Sequence, residues 1–144
     1  MAGERAIRRR RRTVALSRTL SNLFDSTILI AHLRGDRRAT DLLLEASETG
    51  PLVSVISRAE VEGGMRSGER ADVARLFDAL ALVPVTDSIA RRAGRHLRKF
   101  RQSHPGIDLA DYLIASTAEE HRTELVTLNT KHFPMFSNLR SPWI

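Results

Sequence analysis

The chain has 144 residues, a formal net charge of +6 and no cysteine. This length suits one domain with a core of its own, and the absence of cysteine excludes a disulfide framework, a thiolate metal site and a cysteine nucleophile. Aromatic residues make up 5% of the chain, too few for the stacking surfaces of proteins that bind single-stranded nucleic acid. No run approaches the ~18 apolar residues of a membrane span, so we expect a soluble, cytoplasmic protein without a membrane partner.

The positive charge is concentrated at the amino end. Residues 1–20 contain seven arginines and one acid, whereas basic and acidic side chains balance over residues 21–144. We therefore expect an Arg-rich, flexible extension over residues 1–20 and a single domain over residues 21–144. The extension lacks the long apolar segment of a secretory signal. It is typical of an arm that binds nucleic acid or a membrane surface, and a third interpretation is that an upstream start codon has added it.

Apolar runs alternate with amphipathic segments along the rest of the chain. The first run ends at Asp25, and Ser26 is placed to cap the helix that follows. Gly50 and Pro51 mark a turn before a buried strand, and Pro84 confines the third strand to a sheet edge because proline cannot donate to the ladder. The pattern predicts strands over residues 20–24, 52–56, 82–85 and 125–128, and helices over residues 27–33, 39–47, 57–65, 69–81, 86–101 and 108–118.

Strands that alternate with helices at this spacing are typical of βα units. We therefore expect an α/β fold with a central, mostly parallel sheet and helices on both faces. Ser57 and Glu60 stand at capping-box spacing, which predicts that their helix begins at Ser57. The end of the chain has no clear pattern, and a last short strand is expected near Leu139. In sheets of this kind, functional sites lie beyond the carboxyl ends of the strands.

The helix that begins near Asp108 is the most informative segment. The ten residues after Asp108 contain one charge, Asp111, and their apolar side chains recur at helical spacing on more than one face, as in a buried helix. A carboxylate at the end of such a helix is costly unless a cation or a metal pairs with it. Two structural interpretations stay open: Asp108 caps the helix, and Asp111 occupies the N3 position that the helix dipole favours.

Polar side chains from distant parts of the chain fall at the carboxyl ends of the predicted strands. Asp25 ends the first strand, Glu60 lies beyond the second, Asn129 lies beyond the fourth, and Asp108 and Asp111 open the helix that leads to it. Clustered carboxylates repel one another unless a cation lies among them. No histidine pair stands at the ligand spacing of a zinc site, whereas oxygen ligands suit Mg²⁺ or Mn²⁺, which activate water for attack on a phosphodiester.

Four segments that carry these residues resemble, in order and spacing, the motifs of PIN-domain nucleases and of VapC-type toxins from bacterial toxin–antitoxin pairs. The segments are residues 23–30 (LFDSTILI), 59–64 (AEVEGG), 107–117 (IDLADYLIAST) and 125–133 (LVTLNTKHF). The resemblance implies a PIN fold with a five-stranded parallel sheet. It also implies Mg²⁺- or Mn²⁺-dependent endoribonuclease activity on RNA and control by a cognate VapB-type antitoxin.

The resemblance implies residue roles as well. Asp25, Glu60 and Asp111 match the catalytic acids of the family, with Asp25 and Asp111 as metal ligands. Asn129 falls where the family has Asp or Asn, and as a neutral residue it offers an amide oxygen or positions a water. Asp108 either supplies the carboxylate that Asn129 lacks or caps its own helix.

Two hydroxyl side chains, Ser26 and Thr127, lie next to motif residues and are expected to hydrogen-bond the carboxylates or a phosphate. The additional candidate site residues are therefore Asp108, Asn129, Ser26 and Thr127. The five histidines form no metal-ligand pattern, and we expect them in loops or at the surface.

A basic stripe is predicted inside the domain. Six basic side chains and no acid lie between Ser88 and Ile107, and Arg91, Arg95 and Arg98 share one face of the predicted helix. We expect these three arginines to bind RNA phosphates, since an acidic centre cannot attract RNA unaided. The alternative is an ordinary solvated helix face.

Two functions of different classes remain in view. The first is a VapC-like, metal-dependent endoribonuclease toxin that is neutralised by its antitoxin and forms a homodimer. The second is a catalytically inactive PIN-like module that binds RNA or a protein. The intact acids at Asp25, Glu60 and Asp111 favour the enzyme, whereas the neutral Asn129 favours the binding module.

Overall fold

The computed structural model describes residues 21–139 and 141–143. The extension predicted over residues 1–20 lies outside these residues. No helix in the described part is long and apolar enough to cross a bilayer. The elements are β1 (Asn22–Phe24), α1 (Ser26–Leu33), α2 (Arg37–Ala46), β2 (Leu52–Ser54), α3 (Val55–Gly63), α4 (Arg70–Asp78), β3 (Ala81–Val83), α5 (Asp87–Phe100), α6 (Leu109–Glu120) and β4 (Glu124–Val126), with 3₁₀ turns at Ser47–Thr49 and Thr130–His132.

The four strands form one parallel sheet in the order β3-β2-β1-β4. Leu23 of β1 aligns with Leu52 of β2 on one side and with Leu125 of β4 on the other. All four strands therefore end at the same edge of the sheet, where α1 and α3 begin. The predicted α/β class is confirmed, and β3 lies at an edge of the sheet as Pro84 predicted.

The prediction of five strands was wrong for the part of the chain that the structure describes, which has four. Leu139 lies outside any strand. The segment that begins at Phe133 instead follows turns, and from these turns Met135, Phe136 and Leu139 pack against buried Leu23 and its neighbours. Burial of apolar side chains thus fixes this segment without a ladder of backbone hydrogen bonds.

The two faces of the sheet bury separate apolar clusters because successive strand residues point to opposite sides. Phe24 packs among apolar side chains of α1, α2, α3 and α4. Leu23 packs against α6 and Phe133 on the other face. Tyr112 to Ala118 of α6 are almost entirely buried, as predicted for a central helix, and α5 covers α6 from outside.

One helix start and one helix cap differ from the sequence prediction. The α3 helix begins at Val55, because Ser54 caps it by accepting the Ile56 N–H at 3.0 Å; Ser57 is buried inside the helix. Asp108 holds the N-cap position of α6 with extended backbone angles, but its side chain makes no capping hydrogen bond. The Asp108 carboxylate therefore stays at the surface beside the acids of the candidate site.

Candidate active site

Asp25 lies at the junction of β1 and α1 and is 3% exposed. It caps α1, since one carboxylate oxygen, Oδ1, accepts the Thr27 N–H at 3.1 Å and also the Thr27 hydroxyl. The other oxygen, Oδ2, accepts the Thr127 hydroxyl at 2.5 Å. Burial raises the pKa of Asp25 to about 6, although the two threonine side chains act to lower it.

The two threonines also tie Asp25 to the segment after β4. The Leu128 N–H donates to Thr27 Oγ1 and the Asn129 N–H donates to Thr127 Oγ1, each at 2.9 Å. Each hydroxyl thus accepts from the backbone of one element and donates to the carboxylate of another. This arrangement fixes Asp25 at the carboxyl edge, and it brings the predicted Thr127 against the acid that the sequence places 102 residues earlier.

Glu60 lies on α3, with its side chain open to solvent on one side. Its Oε1 accepts the hydroxyl of Ser26 at 3.2 Å, so the residue next to Asp25 holds the second acid. Partial desolvation raises the pKa of Glu60, and the negative charges of Asp111 and Asp108 raise it further, against the Ser26 hydrogen bond. Glu60, Asp111 and Asp108 therefore lie within electrostatic reach of one another.

Asp111 lies in the first turn of α6, with 18% of its side chain exposed. Its Oδ2 lies 3.0 Å from Nδ1 of His132 in the turn after β4. Burial raises the pKa of Asp111, His132 acts to lower it, and the charge of Asp108 acts to raise it. The sequence prediction missed His132, because no spacing along the chain relates residue 132 to residue 111.

The donor set suits a divalent cation, although it does not enclose one. In residues 21–139 and 141–143, no three His, Asp or Glu side chains stand close enough together to surround an ion, and no Arg or Lys pairs with Asp25, Glu60 or Asp111. Oxygen ligands with raised pKa values and no basic partner fit Mg²⁺ or Mn²⁺. These ions commonly take one or two carboxylates and complete their shell with water and phosphate.

Asn129 lies at the surface after β4. Its side-chain amide lies 3.4 Å from Nδ1 of His132 and contacts neither Asp25 nor Glu60. The structure therefore brings Asn129 beside Asp111 through His132. Its role as a substitute for a fourth acid stays a prediction.

The basic helix α5 has one face that is paired with α6. Arg92 bridges Glu119 at 3.8 Å and Glu120 at 3.1 Å, and Nε2 of His96 lies 2.6 Å from Glu119. Ser88 also donates to Glu120 at 2.6 Å. These contacts fasten one face of α5, from Ser88 to His96, to the end of α6.

The predicted stripe of Arg91, Arg95 and Arg98 lies on the other face of α5 and is exposed. Arg91 has a contact with Asp87 at the 4.0 Å limit of an ion pair, whereas Arg95 and Arg98 form no ion pair within the described part of the chain. The structure thus separates the arginines that hold α5 in place from those that are free to bind an anion.

Comparison with proteins of known sequence gives two groups of relatives. The chain is 52% identical to ribonuclease VapC10 of Mycobacterium tuberculosis over 122 residues, which cover 84% of this chain and 92% of that protein. It is 43% identical to ribonuclease VapC19 of the same organism over 123 residues, which cover 84% of this chain and 98% of that protein.

Comparison with solved structures gives the same fold. A toxin–antitoxin complex from Klebsiella pneumoniae contains a chain with a TM-score of 0.70 and 28% identity, covering 85% of this chain and 98% of that one. DNA-bound VapBC from Salmonella typhimurium has a TM-score of 0.70 at 18% identity, covering 85% and 96%, and shows the likeness of fold alone. The sequence model of the PIN domain matches residues 23–137, and with 52% identity to a ribonuclease VapC it follows that this chain belongs to the PIN-domain family.

Proposed function

We propose that this protein is a VapC-like endoribonuclease toxin that hydrolyses RNA phosphodiester bonds with Mg²⁺ or Mn²⁺ in the cytoplasm. The observation that carries the proposal is the group of carboxylates with raised pKa values at the carboxyl edge, namely Asp25, Glu60 and Asp111. Mutual repulsion at an unpaired cluster is relieved by a divalent cation. The ribonuclease VapC relatives support the same reaction.

In this proposal Asp25 and Asp111 are the metal ligands and Glu60 is the general base. When bound, a divalent ion supplies activation of water and neutralisation of phosphate charge. Thr27 and Thr127 hold Asp25 in one orientation. The Ser26 hydroxyl engages Oε1 of Glu60 and leaves Oε2 to accept a proton from water, a task that a carboxylate with a raised pKa performs better near neutral pH.

The free arginines of α5 supply the RNA contact in this proposal. Arg95 and Arg98 are exposed and form no ion pair within the described residues, and Arg91 is held only weakly. Guanidinium groups bind phosphate oxygens in a bidentate manner. Arg92 and His96 attach α5 to α6, the helix that carries Asp111, so in this proposal a strand bound along the stripe is led to the carboxylates.

A cognate VapB-type antitoxin is the proposed protein partner. The carboxylates lack an internal Arg or Lys, so a basic side chain from a partner can occupy the site and compete with a metal. The likeness to a chain of a toxin–antitoxin complex supports this partner. We also propose a homodimer, whose interface would cover exposed apolar side chains such as Leu44 and Leu82, 65% and 44% exposed. Light scattering on the purified protein gives its mass in solution.

The deciding experiment is cleavage of a structured RNA by the purified protein with Mn²⁺, with Mg²⁺ and with chelator. Glu60→Gln tests the proposed base, and Glu62→Gln is its matched control, since Glu62 lies on the same helix but pairs with Arg58 at 3.0 Å. We expect metal-dependent cleavage by the wild type and by Glu62→Gln, and loss of cleavage in Glu60→Gln. Equal cleavage by all three proteins, or cleavage that chelator leaves unchanged, would contradict the proposal.

The alternative function is an RNA- or protein-binding module without catalysis. The exposed, neutral Asn129 favours it, because it leaves the candidate site one acid short. RNA that binds in every metal and is never cut, with binding unchanged in Glu60→Gln, is the result expected of such a module.

A further inference from the structure

The turn after β4 places a histidine against the proposed metal ligand of α6. His132 closes the 3₁₀ turn Thr130–His132, and 38% of its side chain is exposed. Its Nδ1 lies 3.0 Å from Oδ2 of Asp111. This contact joins two residues that lie 21 positions apart in the sequence. The backbone of Asp108 also hydrogen-bonds the Asp111 carboxylate, so His132 is its side-chain partner.

The direction of this hydrogen bond follows from the chemistry of the two groups. An ionised carboxylate can only accept, so Nδ1 must carry the hydrogen. A neutral imidazole has this form in one of its two tautomers, so the contact does not require a charged histidine. The Asn129 amide is 3.4 Å from the same nitrogen, a longer contact, and with its carbonyl turned inward it is a second acceptor rather than a competing donor.

We propose that His132 is a positioning residue for Asp111: its Nδ1–H holds Oδ2 and so orients the carboxylate toward a divalent cation. This inference rests on the proposed function, in which Asp111 is a metal ligand.

The other two acids support the assignment because each has its own donor. Asp25 is held by two threonine hydroxyls and Glu60 by the hydroxyl of Ser26. Asp111 has no hydroxyl partner, and His132 takes that place. Partners that orient a ligand in this way typically contribute about 10- to 100-fold to metal affinity.

The test compares three substitutions of His132 by their Mn²⁺ affinity, measured from the rise in melting temperature on titration with Mn²⁺. The side-chain nitrogen of Asn can take the position of Nδ1, whereas that of Gln lies near the position of Nε2. We expect His132→Ala and His132→Gln to bind Mn²⁺ about 10- to 100-fold more weakly, and His132→Asn to stay within a few-fold of the wild type. His121→Ala, at the exposed end of α6, is the control.

Two results would overturn the inference. The first is a wild-type response to Mn²⁺ in His132→Ala. The second is an equal loss in all three variants that accompanies a lower melting temperature without metal, which would indicate a purely structural histidine. A wild type that does not respond to Mn²⁺ at all would overturn the proposed metal site itself, and the role of His132 with it.

The tautomer gives a readout that needs no metal. Nitrogen-15 NMR of the ring distinguishes Nδ1–H from Nε2–H. We expect Nδ1–H for His132 in the wild type and a return to the usual Nε2–H form in Asp111→Ala. Nε2–H in the wild type would overturn the assignment of the donor.

Discussion

The acids of the candidate site fall into two regions with different surroundings. Asp25 is enclosed: it is 3% exposed, and both of its oxygens are bound by threonines. Glu60 and Asp111 are partly open to solvent, and the charge of Asp108 acts on both of them. Burial is the first cause of a raised pKa in both regions, but repulsion between carboxylates adds to it only in the open one.

This difference indicates that a cation would stabilise the carboxylates of the two regions for different physical reasons. The enclosed acid has a fixed orientation and a large desolvation cost, which exists whether or not a neighbour is charged. The open acids have partly hydrated carboxylates, and the repulsion between them falls when either one is neutralised. Substitutions in the two regions should therefore alter stability by different amounts even where they abolish the same activity.

The largest expected effect is on cleavage. Asp25→Asn and Asp111→Asn should each lower metal-dependent RNA cleavage by roughly a thousandfold or more, since metal stabilisation of the reacting phosphate is worth several kcal/mol. Both variants should stay folded, because asparagine also caps helices and each variant loses a charge that burial disfavours. Single-turnover rates with Mn²⁺, together with melting curves, check this. A fully active Asp111→Asn would make Asp111 an ordinary residue of the first helical turn.

The second effect distinguishes Asp25 from Asp111 by the free energy of unfolding. Asp25 has a pKa of about 6 instead of 3.8, so the folded state holds this proton more tightly than the unfolded state does. Stability should therefore fall as the pH rises from about 4 to about 6 and stay lowered above that, by up to about 3 kcal/mol. Asp25→Asn should remove this loss, and Asp111→Asn, being partly solvated, should recover less.

Denaturant unfolding without metal at a series of pH values measures this effect. Glu45→Gln, an exposed acid of α2, is the control. Asp36 and Glu120 have lowered pKa values, through Arg38 and through Ser88 respectively, and act in the opposite direction. The difference between wild type and Asp25→Asn isolates Asp25. Parallel pH profiles for these two proteins would contradict the raised pKa.

The positions of the acids along the chain were predictable to different degrees. Asp25 follows an apolar run and precedes a hydroxyl, so its place at the end of β1 follows from local pattern alone. Glu60 was placed on the right helix, but that helix starts at Ser54 and Val55 rather than at Ser57. Two serines three residues apart satisfy the same capping rule, and only the end of β2 decides between them.

Contacts between distant elements were not predictable from pattern. The sequence places His132 four residues after a strand, with nothing to relate it to Asp111. In the same way, the sequence alone does not distinguish which basic residues of α5 have partners and which are free. Only the packing of α5 on α6 shows that Arg92 and His96 are bound to Glu119. Local propensity fixes which face a residue occupies, whereas tertiary packing fixes its partner.

A smaller effect is expected where a hydroxyl is removed from each region. Thr127→Val should lower the free energy of unfolding by about 1.5–3 kcal/mol above pH 6, because it takes a hydrogen bond from a buried charge. Ser26→Ala should cost less, since Glu60 is open to water. Thr127→Ser is the matched control: it keeps the hydroxyl and should lose only the contribution of one buried methyl group, about 0.8 kcal/mol. Equal losses in Thr127→Val and Ser26→Ala would show that the enclosed and open regions do not differ as described.

The smallest effect concerns the basic helix that leads to the open region. Changing Arg95 and Arg98 together to Ala should weaken RNA binding and lower the salt slope by up to ~0.7 for each phosphate of a single strand that the variant no longer binds. Stability should be unchanged, since neither arginine forms an ion pair in the described residues, whereas Arg92→Ala should lower it by releasing Glu119 and Glu120. The cleavage rate at saturating RNA should change little, because the acids remain.

The measurement is the RNA binding constant as a function of salt concentration for the wild type, the double variant and a control variant. In the control, Arg37 and Arg70 are changed to Ala; they are two exposed arginines at the starts of α2 and α4. If the double variant and the control lose the same affinity at every salt concentration, the stripe on α5 is ordinary charged surface and RNA reaches the carboxylates by another path.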